Sequence, residues 1–431
     1  MAADQDTQNP HELRKQGKFA EAIPIYEEQT RANPSAFNFR WLINCHRKAG
    51  NPGKAHELCM YALRKFPEDK FLKSEMAWII YDLEIKTAKE DHDFKNLVEA
   101  SRKAIGFDPQ NDLLVKVVGQ AVMKLGKQAN NPNWKTIAEF ALKIDPETLS
   151  SDKRESSTGK PFMSEREEWY VNAVKALLES NNLEDVHHLA SKGLKDFPRQ
   201  IDLSRYVGQA QYMSGDLDEA GHTYELLLTY PRIQWYVVSE AASIKAKKGK
   251  IEQACQLFAQ ALQTGNEDQF MIGTMEEFAT VLIDQGKLQE AQFNLALARK
   301  IREELQWRIP PTLSGLEERL QQQARTEGVE LSELPSSIKE LKRVCSQTWK
   351  KGESEGLDYQ KGKVGDVFPE RKYTFIKPEG GGESVFVLIK DLPRDCQQWG
   401  SIVEFVPEKS FDTKKNKESF KAIRIRKAKS E

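Results

Sequence analysis

Cysteine is scarce in this sequence, with five in 431 residues. Cys45, Cys59, Cys255, Cys345 and Cys396 are scattered, odd in number and never in CxxC spacing. That excludes a disulfide framework and a zinc site, and it fits a reducing, cytoplasmic setting. Long apolar runs are missing too. No stretch approaches the ~18 apolar residues that cross a membrane, and residues 1–30 hold no apolar segment of signal-peptide length, so neither a membrane partner nor export is expected. Net charge nearly vanishes, with 64 Lys and Arg against 65 Asp and Glu for a formal −1.

Catalytic signatures are absent as well. The chain has no GxxxxGK[ST] phosphate loop, no GxSxG elbow, no HExxH pair and no nucleophile with an evident base. The Gly run at Glu379, Gly380, Gly381 and Gly382 lies between two expected strands and opens no helix, so it reads as a hairpin turn rather than a phosphate cradle. Glu90, Asp91 and Asp93 around His92 fall in an inter-helix loop, and His187 and His188, being adjacent, point to different helix faces, so no metal site is expected. The expectation is a protein that is not an enzyme, with no cofactor, no catalytic residue and no small-molecule substrate.

What is present is a repeat. Gly17, Ala22, Tyr26 and Pro34 recur as Gly215, Ala220, Tyr224 and Pro231. Ala22 to Ala55 spans 33 residues, Ala220 to Ala254 spans 34 and Ala254 to Ala291 spans 37. A small Ala lets paired helices approach, a bulky ring one turn on fills the gap between units, and Pro stops the helix. With 30% charged and 39% hydrophobic residues, the composition is that of a helix-rich globular chain. At this length one compact core is not expected, whereas stacked units need none. Residues 71–109 and 112–146 keep the ending of the unit but have longer inter-helix loops. Residues 147–165 are polar, break the period and are expected to form an exposed loop.

The period of roughly 34 is that of tetratricopeptide repeats, and residues 9–307 resemble about eight such units. The resemblance implies an α-solenoid that holds a protein or peptide partner in the concave groove lined by the first helix of each unit. Arg40, Asn44 and Lys73 are fragments of the clamp that some of these arrays use for a peptide carboxylate, with Ala77 where a second cation belongs, so the resemblance does not extend to that clamp. Trp41, Trp78, Trp169 and Trp235, near the starts of first helices, read as packing residues between units.

Residues 308–354 read as a helical linker. Beyond Gly352 the pattern turns alternating and β-branched, bounded by Gly and Pro, so a second domain is expected over residues 355–431. Charge separates at the same place. Residues 361–431 hold 16 Lys and Arg against 11 Asp and Glu, a net +5, which leaves residues 1–360 with 48 against 54, a net −6. Basic excess gathers after Lys409, including Lys414, Lys415 and Lys417, an electrostatic footprint for phosphates.

Within residues 362–392, Gly362, Val364, Phe375, Ile376, Pro378, Val385, Phe386 and Val387 resemble the first three strands of a cold-shock domain, a small all-β barrel of the OB type. Gly400, Val403 and Phe405 match its fourth strand, and Ala422, Ile423 and Ile425 its fifth. The resemblance implies binding of single-stranded RNA or DNA, with bases stacked on Tyr373, Phe375 and Phe386 and the backbone held by Arg371, Lys372, Lys377, Lys361 and Lys363. Stacking suits that task because every base offers a π-face. The pattern departs from the family at Asp366, where a Trp belongs, at Leu388 in place of a His, and at Lys372 and Thr374 in place of Gly. The combination is also similar to repeat-plus-OB proteins of prokaryotic conflict systems, the TOTE group among them, which implies a nucleic-acid-sensing adaptor in defence. The alternative is a protein-interaction scaffold whose barrel binds no nucleic acid.

Overall fold

The structure, a computed structural model, describes residues 9–89, 93–128, 131–155, 158–159, 161–230, 232–354, 358–368, 370–412 and 417–428. Glu90, Asp91, His92, Pro231, Lys414 and Lys415 lie outside these residues. The chain is mainly helical, a tetratricopeptide-like solenoid followed by a closed five-stranded barrel.

Two compact units divide it, residues 1–233 and 234–431. Among its described residues the first holds six antiparallel helix pairs: α1 (Pro10–Lys15) with α2 (Phe19–Ala32), α3 (Ala36–Lys48) with α4 (Pro52–Lys65), α5 (Lys70–Ile80) with α6 (Phe94–Phe107), α7 (Asp112–Gln128) with α8 (Trp134–Ala141), α9 (Glu165–Glu179) with α10 (Leu183–Asp196), and α11 (Ile201–Met213) with α12 (Leu217–Leu228). Several helices start where polar caps accept orphan N–H groups. Ser35, Asp69, Ser164 and Asp216 each take a backbone N–H of the first turn. In four of these pairs the tight turn needs a left-handed residue, supplied by Gly17, Gly50 and Gly215 and, between α9 and α10, by Asn181 at φ 60°. Ala22, Ala55 and Ala220 are fully buried where the paired helices meet, with Tyr26 and Tyr224 packed one turn on.

Two places depart from the regular unit. The helix begun by α5 continues into a π-helical turn, Tyr81–Ile85, and this wider turn carries Asp82 to the Arg47 guanidinium (3.0 Å), which also bonds the Glu75 carboxylate (3.2 Å). The polar stretch after α8 contains a two-residue hairpin, β1 (Arg154–Glu155) with β2 (Pro161–Phe162). Arg154 anchors it, donating from Nε to the Met163 carbonyl (2.9 Å) and pairing with Glu168 of α9.

The second unit begins with two more pairs, α13 (Trp235–Lys247) with α14 (Ile251–Thr264), and α15 (Asp268–Asp284) with α16 (Leu288–Glu304). Then follow α17 (Pro311–Glu327) and α18 (Ile338–Ser354). Pro311 opens α17, and Gly328 in the left-handed conformation closes it. Leu313, Leu320 and Ala324 of α17, with Leu341, Cys345 and Trp349 of α18, are buried in one core with residues of α14, α15 and α16. The stripe at 341, 345 and 349 has the four-residue spacing of one helix face. Trp349 Nε1 donates to the Oδ1 of Asn294, a fully buried residue of α16, at 3.0 Å.

The barrel is built from β3 (Gln360–Val364), β4 (Tyr373–Pro378), β5 (Val385–Leu388), β6 (Ile402–Asp412) and β7 (Lys417–Lys427). It closes in the order β3-β4-β5-β7-β6, with β5 and β7 parallel and every other pair antiparallel. Val364, Ile376, Val385, Val387, Leu392, Val403, Phe405 and Ala422 fill the interior. Gly362 is dictated by that closure, since a Cβ there would stand 2.6 Å from Ile376 Cγ2 and 2.8 Å from Phe405 Cε1.

Candidate nucleic-acid interface

Strand alternation builds the candidate site. Along β4, Thr374 and Ile376 are buried and Tyr373, Phe375 and Lys377 are exposed. Thr374 Oγ1 donates to the Asp366 carbonyl at 2.8 Å, which satisfies the buried hydroxyl and holds the strand's facing. Phe375 stands opposite Phe386 of β5 in the register. The three rings cluster on one outer face, with centroids 5.9 Å apart for Tyr373 and Phe375, 5.4 Å for Tyr373 and Phe386, and 6.0 Å for Phe375 and Phe386. Tyr373 is 39% exposed and Phe375 44%. An apolar surface of this kind, kept in water, marks a contact surface more often than a surface Leu does.

The cations divide into groups. Lys363 of β3 faces outward directly opposite Lys377 of β4. Lys361 shares that outer face and stands opposite Glu404 of β6. Lys421 of β7 stands opposite Phe386 in the parallel pair. Lys372 lies just before β4, its carbonyl accepting from the Ile389 N–H (3.0 Å). Arg371 also precedes β4, in a turn where its N–H bonds the Phe368 carbonyl (3.0 Å) and its guanidinium lies 4.6 Å from the Phe368 ring centroid. Alternation alone sets Arg371 on the face of Tyr373 and Phe375. The turn sets its direction instead, because the strand has not yet begun.

Sequence reasoning passed over two aromatics at this end of the barrel, Phe368 and Trp399. Trp399 is 66% exposed and Lys363 Nζ lies 4.6 Å from its ring centroid. The Trp–Gly pair at 399 and 400 was the available signal, because Gly400 at φ 84° is a turn residue that leaves its neighbour at the surface.

At the N-terminal end of the repeats, Trp41 lies between two guanidinium groups, Arg14 at 3.9 Å and Arg40 at 4.5 Å, and Arg40 also covers Phe71 at 3.9 Å. Asn44 donates to Glu75 (2.8 Å) and Lys73 pairs with Glu68 (2.9 Å), so these two fragments of the clamp are spent on internal contacts. Trp169 is buried and donates from Nε1 to the Ala141 carbonyl at 3.1 Å, a packing role.

Residues 11–70 match the tetratricopeptide repeat family, and residues 206–340 match a family described as a domain of unknown function, DUF7017. No curated protein matches the chain. Among solved structures, a tetratricopeptide repeat protein from Parabacteroides merdae aligns at 14% identity over 63% of this chain and 96% of its own length, with a TM-score of 0.29. Yeast Tom70 aligns at 17% identity over 76% and 68%, with a TM-score of 0.35. The structure of Naa15/Naa10 bound to HypK-THB aligns at 13% identity over 80% of this chain and 49% of that one, with a TM-score of 0.45. The chain is thus a tetratricopeptide-like helical solenoid followed by a closed five-stranded barrel, with the match to the tetratricopeptide family confined to residues 11–70. Among the described residues no helix is long and apolar enough to cross a membrane.

Proposed function

We propose that this chain is a non-enzymatic adaptor whose repeats hold a protein partner and whose barrel binds single-stranded RNA or DNA. Stacked helix pairs form long surfaces suited to other proteins. The nucleic-acid reading is carried by one observation, the cluster of Tyr373, Phe375 and Phe386 on an exposed barrel face with Lys363 and Lys377 beside it. The strand order, with its parallel third and fifth strands, supports an OB-type barrel, a fold that binds oligonucleotides on its second and third strands. Domain order extends the reading to a sensing role in prokaryotic defence, which the genes flanking this one test.

A second reading has its own support. The three rings touch one another, Tyr373 edge-on to Phe375 at 87°, and mutual packing of that kind stabilises a surface that meets a protein instead. Replacing Phe375 and Phe386 with Ala separates the two. Each stacked base contributes about 1–3 kcal/mol, so the double variant should lose at least about tenfold in oligonucleotide affinity. Undiminished binding by a folded double variant leaves only the scaffold reading.

A further inference from the structure

Trp399 has the largest exposed fraction of any large apolar side chain among the described residues, at 66%. Its backbone is nevertheless tied down. Gly400, at φ 84°, donates to the Val364 carbonyl (2.9 Å), and the Val364 N–H donates to the Ser401 carbonyl (2.9 Å), so the turn bearing Trp399 is laced to the end of β3. The stem of Lys363 runs beneath this turn, 3.4 Å from where a Cβ on Gly400 would lie, and its ammonium sits over the indole. An indole in water is costly to leave uncovered, and a turn already fixed loses little backbone entropy when that indole is used in binding.

The neighbouring cations add a second, independent oddity. Lys363 and Lys377 stand directly opposite each other across an antiparallel pair, where like charges are destabilising. Neither has a carboxylate partner among the described residues. Phe375 precedes Lys377 by two residues on the same face of β4. Across the surface the order is therefore ring, ammonium, ammonium, ring. A strand of nucleic acid presents the complementary order of base, phosphate and base.

We infer that Trp399 is a further base-stacking residue of the barrel, and that Lys363 and Lys377 together hold the backbone phosphate between the base on Trp399 and the base on Phe375. This rests on the reading of the barrel as a single-strand binder. One bound phosphate relieves the repulsion between the two ammonium groups, and Lys363, already lying on the indole, reaches that phosphate without leaving the ring.

The test is a titration of the full chain against a fluorescein-labelled oligothymidylate at several salt concentrations, read by anisotropy. Trp399→Ala should weaken binding about tenfold, the usual loss of one stacked base, and Trp399→Phe should keep most of the affinity because a π-face remains. Lys363→Gln, Lys377→Gln and the pair combined should each lower the slope of log affinity against log salt by about the same amount, close to one phosphate. If Trp399→Ala binds like the parent while Phe375→Ala/Phe386→Ala does not, the further stacking position is wrong and the single-strand reading stands. If the Lys variants leave the slope unchanged, the phosphate is placed wrongly. If the parent chain binds no oligonucleotide at any salt concentration, the reading of the barrel falls and this inference falls with it.

Discussion

At the scale of single residues, burial decides the behaviour of the thiols and of one glycine. All five cysteines are free and buried. Burial pushes the Cys45 thiol up to about 11 and those of Cys59 and Cys345 up to about 12, from an ordinary value of 9.0. Because these folded-state values lie above the unfolded ones, the contribution of the thiols is fully present below pH ~9 and is lost as pH climbs from there toward 12, where only the unfolded chain has given up the protons. A thiolate-specific reagent at about pH 8 should therefore label the native protein far more slowly than the urea-unfolded one, which exposes all five. Fast labelling of the native chain would contradict the burial. Gly362 belongs to the same scale. Gly362→Ala should destabilise the barrel by about 1–3 kcal/mol, the usual cost of overpacking, visible as faster hydrogen exchange in β3, β4 and β6. The family pattern marked Gly362 as matched, but its reason, the approach of Ile376 and Phe405, exists only once the barrel has closed.

At the scale of elements, the periodic signals translate directly and the irregular ones do not. The Gly, Ala and aromatic positions at a period near 34 correspond to turns, inter-helix contacts and fillers. The stretch at 147–164 breaks that period, and the structure uses part of it in the small hairpin that Arg154 pins to α9. Ser151, Asp152 and Lys153 just before the hairpin remain exposed. Limited trypsin digestion should thus cut first after Lys153, before any site within residues 205–298, because exposed segments outside regular elements open to proteases at little cost. Arg154→Ala should speed that cut by removing the anchor. A first fragment ending inside α11–α16 would mean that the repeats, rather than this insertion, open most readily. The π-helical turn at Tyr81–Ile85 was not legible, since periodicity reads a long loop there and only the meeting of Asp82 with Arg47 rewards the wider turn.

At the scale of the whole molecule, charge divides along the chain. Residues 1–360 carry −6 and residues 361–431 carry +5, so the acidic part repels phosphate backbones and the basic part attracts them. Removing residues 355–431 should abolish oligonucleotide binding and leave capture of a protein partner by the repeats unchanged. The cut spares α18, whose Leu341, Cys345 and Trp349 belong to the core of α14, α15 and α16. Anisotropy for the oligonucleotide and a pull-down from the native host for the partner read the two halves of this expectation. Equal oligonucleotide affinity in the shortened chain would reverse the assignment of roles.

The sequence by itself determined the repeats, the change from helix to strand beyond Gly352 and the alternation that puts Tyr373 and Phe375 on one face. These are consequences of spacing along the chain, and local periodicity records them. Only the tertiary structure decided what lies beside them. Arg371 turned onto Phe368 because its turn ends before β4 begins. Trp399 came to the side of Lys363 because Gly400 pairs with Val364, residues far apart in the chain. Trp349 found Asn294 across a helix interface, for the same reason. Contacts between distant residues depend on how closed surfaces fit, and no spacing within one segment encodes that fit.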